Sequence, residues 1–238
     1  MKRIFCLLTI ALTSFILLGS EQVAFSQGRV YMYDQGRNKP QRPAPGRFDY
    51  NNLQYGTYLG FRMGFNAAWV NSESSYMDAN ESKLGLNAGI VMGTQLAANA
   101  PVFLESGLFY TEKGGKSDYG GKHFTYDLNF LEIPFTFKYA IGIPSNIGLS
   151  IQPFLGPYFA VGVGGHVKNF GERTAYSSFG DDEKKFKRFD AGLKIGCGLG
   201  ISMFYTELSY NVGLRNIGHD LFDETHSRAF TVTVGMNF

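Results

Sequence analysis

The sequence predicts an all-β fold, an eight-stranded antiparallel transmembrane β-barrel with periplasmic termini. Three observations predict it. Apolar and polar side chains alternate with period two through eight segments of residues 56–238, the mark of strands with two unlike faces. The connections between those segments alternate between short and long, as periplasmic turns and extracellular loops do. Every glycine placed inside a segment falls on the polar parity: Gly60, Gly64, Gly85, Gly89, Gly93, Gly107, Gly156, Gly162, Gly192, Gly196, Gly198, Gly213 and Gly235.

The first segment, 56–70, sets Leu59, Phe61, Met63, Phe65, Ala67 and Trp69 against Tyr58, Gly60, Arg62, Gly64, Asn66 and Ala68. The second, 83–96, sets Leu84, Leu86, Ala88, Ile90 and Met92 against Gly85, Asn87, Gly89, Gly93 and Gln95. In the third, 102–113, Val102, Leu104, Leu108 and Tyr110 oppose Glu105, Gly107 and Thr111. In the fourth, 124–139, Leu131, Ile133, Phe135, Phe137 and Tyr139 oppose Glu132, Thr136 and Lys138. The fifth, 148–164, and the sixth, 187–200, carry Ile151, Leu155 and Phe159, then Leu193, Ile195 and Cys197, on their apolar faces. The seventh, 203–214, sets Phe204, Leu208, Tyr210 and Val212 against Tyr205, Glu207, Asn211 and Gly213. The last, 227–238, sets Phe230, Val232, Val234, Met236 and Phe238 against Thr231, Thr233, Gly235 and Asn237. Short connections fall at 97–101, 140–147 and 201–202, and the longest polar one at 166–186.

Glycine placement fixes which face is outside. Eight strands close a narrow tube that side chains just fill. The small residues therefore point inward and the larger apolar ones face lipid, the reverse of a soluble barrel. Arg62, Glu105, Glu132, Lys138, Asp190, Lys194 and Glu207 then lie on the inward parity. Lone charges in such a core are costly, so these seven are expected to pair as a barrel-interior polar network. Pro134, Pro153 and Pro157 fall within strands and supply no ladder donor, so bulges or local breaks are expected there.

Composition agrees with a strand-built protein: 30 Gly, 22 Phe, 14 Tyr and one Trp. Lys2 and Arg3, the apolar run 4–18 and Ala24-Phe25-Ser26 read as a cleaved secretory signal over 1–26. That run is short for a spanning helix, which needs about 20 residues. Its removal leaves 20 basic and 19 acidic groups, a net charge of +1, which lacks the basic footprint of a nucleic-acid binder. Cys6 lies in the leader, so Cys197 has no intrachain partner for a disulfide. Residues 27–55 are polar and rich in Pro and Arg, and read as a flexible periplasmic lead-in to the barrel domain at 56–238.

Two stretches of the chain, 103–114 (FLESGLFYTEKG) and 131–139 (LEIPFTFKY), carry a resemblance. Leu155-Gly156-Pro157-Tyr158, Phe189-Asp190-Ala191-Gly192 and 210–217 (YNVGLRNI) add to it. In these the chain resembles the small outer-membrane β-barrel family that includes the PorT-like proteins. The resemblance spans roughly 56–238 and implies the cell outer membrane, with a role as accessory in protein secretion or envelope assembly. The terminal Phe238, preceded by Phe230, Val232, Val234 and Met236, resembles the C-terminal signal read by barrel-assembly machinery.

Chemistry is sparse. The chain has no HExxH, GxSxG, Walker loop or CxxC. Its histidines, His123, His166, His219 and His226, fall in or beside the long connections. A surface metal site from His219, Asp220, Asp223 and His226 competes with plain solvation of a loop, and solvation is the preferred reading. His226 and Ser227, with Glu224 nearby, raise a lipid-A deacylase alternative. Neighbouring strand residues point to opposite faces, which is poor geometry for a nucleophile and its base. The mixed run Asp181-Asp182-Glu183-Lys184-Lys185 reads as solvated loop, with contact to a protein or to lipopolysaccharide as its functional version. No enzyme activity and no cofactor are expected. The expected role is structural or binding, with outer-membrane lipid, lipopolysaccharide and the assembly machinery as partners. A protein partner would meet the outer loops or the 27–55 segment. The alternatives are the lipid-modifying enzyme and a small-solute channel.

Overall fold

The computed structural model describes residues 56–71, 81–97, 100–119, 122–143, 148–168, 174–180, 185–218 and 225–238. The chain divides between Pro45 and Gly46, and every described residue belongs to Gly46–Phe238. The signal at 1–26 and the lead-in at 27–55 lie outside the described residues, as do Asp181 to Lys184 and His219 to Glu224.

The elements in chain order are β1 (Thr57–Asn71), β2 (Glu81–Ala97), β3 (Ala100–Tyr119), β4 (Lys122–Tyr139), β5 (Ile141–Ile143) and β6 (Leu149–Gly164). They continue with β7 (His166–Lys168), β8 (Tyr176–Ser177), β9 (Phe189–Ile201), β10 (Phe204–Gly213) and β11 (His226–Asn237). Eight of these are staves: β1, β2, β3, β4, β6, β9, β10 and β11. Each pairs antiparallel with its neighbours, and β1 meets β11 while β4 meets β6, so the sheet closes on itself. Reciprocal bonds between Leu59 and Phe238, at 3.1 and 2.7 Å, carry the closing seam to the last residue. A closed eight-stranded antiparallel barrel is therefore the fold, and no stave is left as an edge.

Burial follows the parity of the sequence on every stave. Along β6 it alternates without interruption from Ser150 to Ala160. The outward row of β1 is Leu59, Phe61, Met63 and Phe65, all large and all exposed. The inward row holds Tyr58, Arg62, Asn66 and Ala68, all buried. Leu59 and Trp69 are ten residues apart. At ~3.4 Å per residue and a tilt of about 40°, that row rises roughly 26 Å, the height of a hydrocarbon layer spanned by a barrel.

The three prolines sit beside lapses in the ladder rather than at bulges. Pairing of β3 with β4 skips from Ser106–Phe135 to Phe109–Glu132, across Pro134. Pairing of β4 with β6 skips from Pro134–Tyr158 to Phe137–Leu155, beside Pro157. Past Pro153 the partner of β6 changes from β4 to β5, which keeps the register of β4 beyond Ala140. The missing N–H of proline removes a rung without shifting the strands. The register shift in this region lies elsewhere, between Asn129 and Phe130. A two-residue turn, Ser202-Met203, joins Ile201 to Phe204, with Ser202 at φ 54°. It therefore falls one residue later than the expected 201–202 connection.

The interior is not simply small and polar. Large rings also point inward, and five of them lie opposite a glycine. Tyr58 lies opposite Gly93, Phe109 opposite Gly89, Tyr126 opposite Gly115, Phe154 opposite Gly196 and Tyr158 opposite Gly192. A Cβ on Gly196 would stand 2.5 Å from the Phe154 ring, and one on Gly192 would stand 2.8 Å from the Tyr158 ring. Glycine clears the floor on which the ring from the next strand lies, so rings and charges fill the tube together.

Candidate functional site: the filled interior and its outer mouth

The seven charged residues on the inward parity, Arg62, Glu105, Glu132, Lys138, Asp190, Lys194 and Glu207, are all buried. They divide into two clusters, the second of which also holds an eighth charged residue, Lys113.

The first cluster lies nearer the end that holds both chain termini. Glu105 reaches Arg62 at 3.3 Å and Lys138 at 2.7 Å. Glu207 reaches Lys138 at 3.5 Å and Lys194 at 3.0 Å. The Tyr58 hydroxyl donates to Glu105 at 2.5 Å, and Lys138 Nζ donates to the Tyr205 hydroxyl at 2.7 Å. The Tyr205 ring lies under both cations, 4.1 Å from the Arg62 guanidinium and 4.4 Å from Lys138 Nζ.

The second cluster lies nearer the loop end. Lys113 stands between Glu132 at 3.0 Å and Asp190 at 3.5 Å. Asn211 donates to Glu132 at 3.0 Å, and the Ser227 hydroxyl donates to Asp190 at 2.6 Å. The Tyr158 hydroxyl donates to the same Asp190 oxygen at 3.2 Å, and its ring carries Lys113 Nζ at 4.5 Å.

The charge balance of the two clusters is informative. Three cations and two carboxylates leave the first with one positive charge in excess. One cation and two carboxylates leave the second with one negative charge in excess. Among the described residues the interior is neutral, four against four. Lys113 completes that balance. It lies on the same inward parity as Glu105 and Thr111, so the alternation of β3 contains the signal that identifies it.

Above the second cluster the mouth is closed by side chains from the long connections. Phe179, Phe186 and Ile217 are buried in one apolar cluster with Phe124, Tyr126, Leu128 and Phe130 from β4. Phe179 meets Phe130 edge-on at 5.4 Å between centroids, and Phe186 meets Tyr126 at the same distance. Backbone bonds hold the cover in place: Phe186 N–H to the Ser178 carbonyl at 2.7 Å, and Lys187 N–H to the Ile217 carbonyl at 2.8 Å. The Ser178 hydroxyl donates to the Asp127 carbonyl at 2.6 Å. The connection read from sequence as polar outer loop thus supplies two of the innermost rings of the mouth.

Residues considered for catalysis or metal do not converge. Ser227 faces inward onto Asp190 and Tyr158, while His226 before it lies on the outward parity. His166 is exposed in β7, and His219, Asp220 and Asp223 lie outside the described residues. Among the described residues no group of three or more His, Cys, Asp or Glu side chains could hold a metal ion. Cys197 is exposed on the outward face of β9. The five residues of the terminal row, Phe230, Val232, Val234, Met236 and Phe238, all lie on the outward parity of β11.

An apolar exterior about as tall as a hydrocarbon layer, wrapped around a neutralised ionic interior, defines the class of outer-membrane β-barrels. The family model described as outer membrane protein beta-barrel domain matches residues 32–218, and the chain belongs to that family. The match begins within the segment read as the lead-in.

The chain is also similar to several solved structures. Ail, the attachment invasion locus protein of Yersinia pestis, is 15% identical, covering 76% of this chain and 98% of that one, with a TM-score of 0.41. Neisserial surface protein A is 16% identical, covering 77% and 99%, with a TM-score of 0.45. The N-terminal β-barrel domain of OprF from Pseudomonas aeruginosa is 16% identical, covering 74% and 97%, with a TM-score of 0.33. No curated protein matches the sequence.

Proposed function

We propose that this outer-membrane barrel has a non-catalytic structural and binding role and conducts no solute. The observation that carries the reading is the filled interior. Two ionic clusters occupy the tube, and an apolar cover lies over its outer mouth. A conduit needs an open path for water along its length, whereas the charged groups that line this interior pair with one another across it. Ser227, the serine beside His226, is committed to Asp190 and is no nucleophile for an acyl chain.

In this reading the leader 1–26 is cleaved, the 27–55 segment and both barrel ends of the chain face the periplasm, and the long connections face outward. The outward row that ends in Phe238 supplies the signal for barrel assembly. Partners meet the barrel at the outer connections or at the 27–55 segment. Its similarity to PorT-like proteins supports the finer assignment, an accessory of protein secretion or envelope assembly.

Three measurements test this reading. Proteinase K should leave the 27–55 segment uncut in intact cells and remove it once the outer membrane is permeabilised, and its loss from intact cells would reverse the orientation. Purified barrel incubated with lipid A should leave every acyl chain in place by mass spectrometry, and acyl release lost in His226→Ala would establish the enzyme instead. A deletion strain should retain in its periplasm proteins that the parent secretes. An unchanged extracellular proteome would remove the secretion role.

A further inference from the structure

A second site lies outside the tube, on the lipid-facing surface at the loop end. Arg228 stands on the outward parity of β11, directly opposite Trp69 of β1 and Val212 of β10. The Trp69 ring packs against Tyr210 of β10, with centroids 6.0 Å apart. Arg228 is half-buried, and its Nε is covered by neighbouring atoms yet donates to no partner. Arg215 follows β10, three residues beyond Val212, and its guanidinium lies 4.8 Å above the Phe189 ring. At ~3.3 Å per residue and ~4.8 Å between neighbouring strands the two backbones are roughly 11 Å apart, a span that two arginine side chains can bridge toward one group.

Height and charge define what fits there. Trp69 ends the apolar row of β1, Tyr210 lies one outward position before Val212 on β10, and Leu214 beside Arg215 is 61% exposed. Aromatic rings at this level form the girdle of a barrel, where hydrocarbon gives way to headgroups. The interior acids of β9 and β10, Asp190 and Glu207, point away from this surface. Among the described residues no carboxylate faces outward on β9, β10 or β11. Two guanidinium groups without a carboxylate partner among the described residues, set against aromatic rings at the headgroup level, match a phosphate. Guanidinium offers that anion paired donors in a planar fork.

We propose that Arg228 and Arg215, flanked by Trp69, Tyr210 and Phe189, bind the phosphate of an outer-leaflet glycolipid of the lipid A kind. The inference rests on the orientation given above, with the long connections outside. The arginines grip the headgroup phosphate while the rings and the apolar rows below receive the acyl chains. The barrel is thereby fixed in depth and carries one ordered lipid on its β9–β1 side.

Trp69 is the single tryptophan of the chain and reports on the site directly. The full-length mature protein is reconstituted in phosphatidylcholine vesicles doped with bisphosphorylated lipid A, with dephosphorylated lipid A, or with neither. Bisphosphorylated lipid A should change Trp69 emission saturably, and the dephosphorylated lipid should not. Arg228→Gln and Arg215→Gln should each weaken the response by about tenfold, the loss of one charge-assisted contact. The heat-induced gel shift of each variant confirms that it is folded. Equal responses to the two lipids, or unchanged binding in the folded double variant, would overturn the proposal. Displacement by millimolar inorganic phosphate would reassign the site to a free anion. Proteolysis on intact cells decides orientation independently, so an inward-facing rim would sink the outer-leaflet placement while the vesicle titration still decides the phosphate site.

Discussion

Replacing Lys113 by methionine tests the interior most sharply. Lys113 is the sole cation of the second cluster and lies 3.0 Å from Glu132 and 3.5 Å from Asp190, with all three side chains buried. At an effective dielectric of about 20, each contact corresponds to roughly 5 kcal/mol of Coulomb energy before desolvation is counted. Methionine keeps the stem and removes the charge, leaving two buried carboxylates without a counter-ion. Breaking a buried pair by removing one partner costs about 3–5 kcal/mol, because the remaining charge stays desolvated. Asp190 retains the Ser227 and Tyr158 hydroxyls, and Glu132 retains Asn211, which keeps the loss within that range. The assay is urea unfolding in lipid vesicles, followed by Trp69 emission and the gel shift. Lys113→Met should lower the unfolding free energy by about 3–5 kcal/mol, and Lys113→Met with Glu132→Gln should recover part of that loss. A single variant within about 0.5 kcal/mol of the parent would refute the interior charge balance, because surface substitutions cost that little.

Three further outcomes follow from the same architecture. Val232 lies between Phe65 and Leu208 at mid-height of the apolar band, so Val232→Arg should destabilise by about 2–4 kcal/mol, against about 0–1 for Leu59→Arg near the rim; equal costs in vesicle unfolding would contradict the lipid-facing assignment. A Cβ on Gly93 would fall within the Tyr58 ring, so Gly93→Ala should cost about 1–3 kcal/mol, and much less in a Tyr58→Ala background; additive costs would show that ring and glycine are not coupled. Phe186→Ala removes a fully buried ring from the mouth, so the 174–188 segment should become sensitive to trypsin at Lys185 and Lys187 while the heat-induced gel shift is unchanged; continued resistance would mean the cover is held by other contacts.

The staves were legible in the sequence because a membrane barrel has one simple rule, alternation between lipid and lumen. Strands read at 56–70 and 148–164 appear as Thr57–Asn71 and Leu149–Gly164. The antiparallel eight-stranded closure follows from that count, whereas the long connection expected between the third and fourth segments is taken up by β3 and β4, which leave only 120–121 between them. What alternation does not encode is the content of the tube. Phe109 and Phe154 are apolar yet point inward, since the glycine across the strand pair leaves each ring a place. That signal is cross-strand and needs the register before it can be read. Lys113 was within reach of parity on β3, but it stands at the end of the segment, where the apolar row gives out. Phe179 and Phe186 carry no periodic signal, because an irregular segment places them over the mouth through Ser178, Ile217 and the rings of β4. The arginines of the outer surface emerge only once the register sets Arg228 beside Trp69.

The claim at the centre of this account is that the tube is filled and sealed by its own charges and rings. Planar-bilayer recording of the refolded barrel tests it most directly, with insertion verified by the gel shift. The account predicts no discrete conductance steps at any applied voltage, in the parent protein and in Phe186→Ala alike, because the two ionic clusters still block the lumen beneath the opened cover. Reproducible single-channel steps from the folded parent would contradict it and would make the interior a conduit.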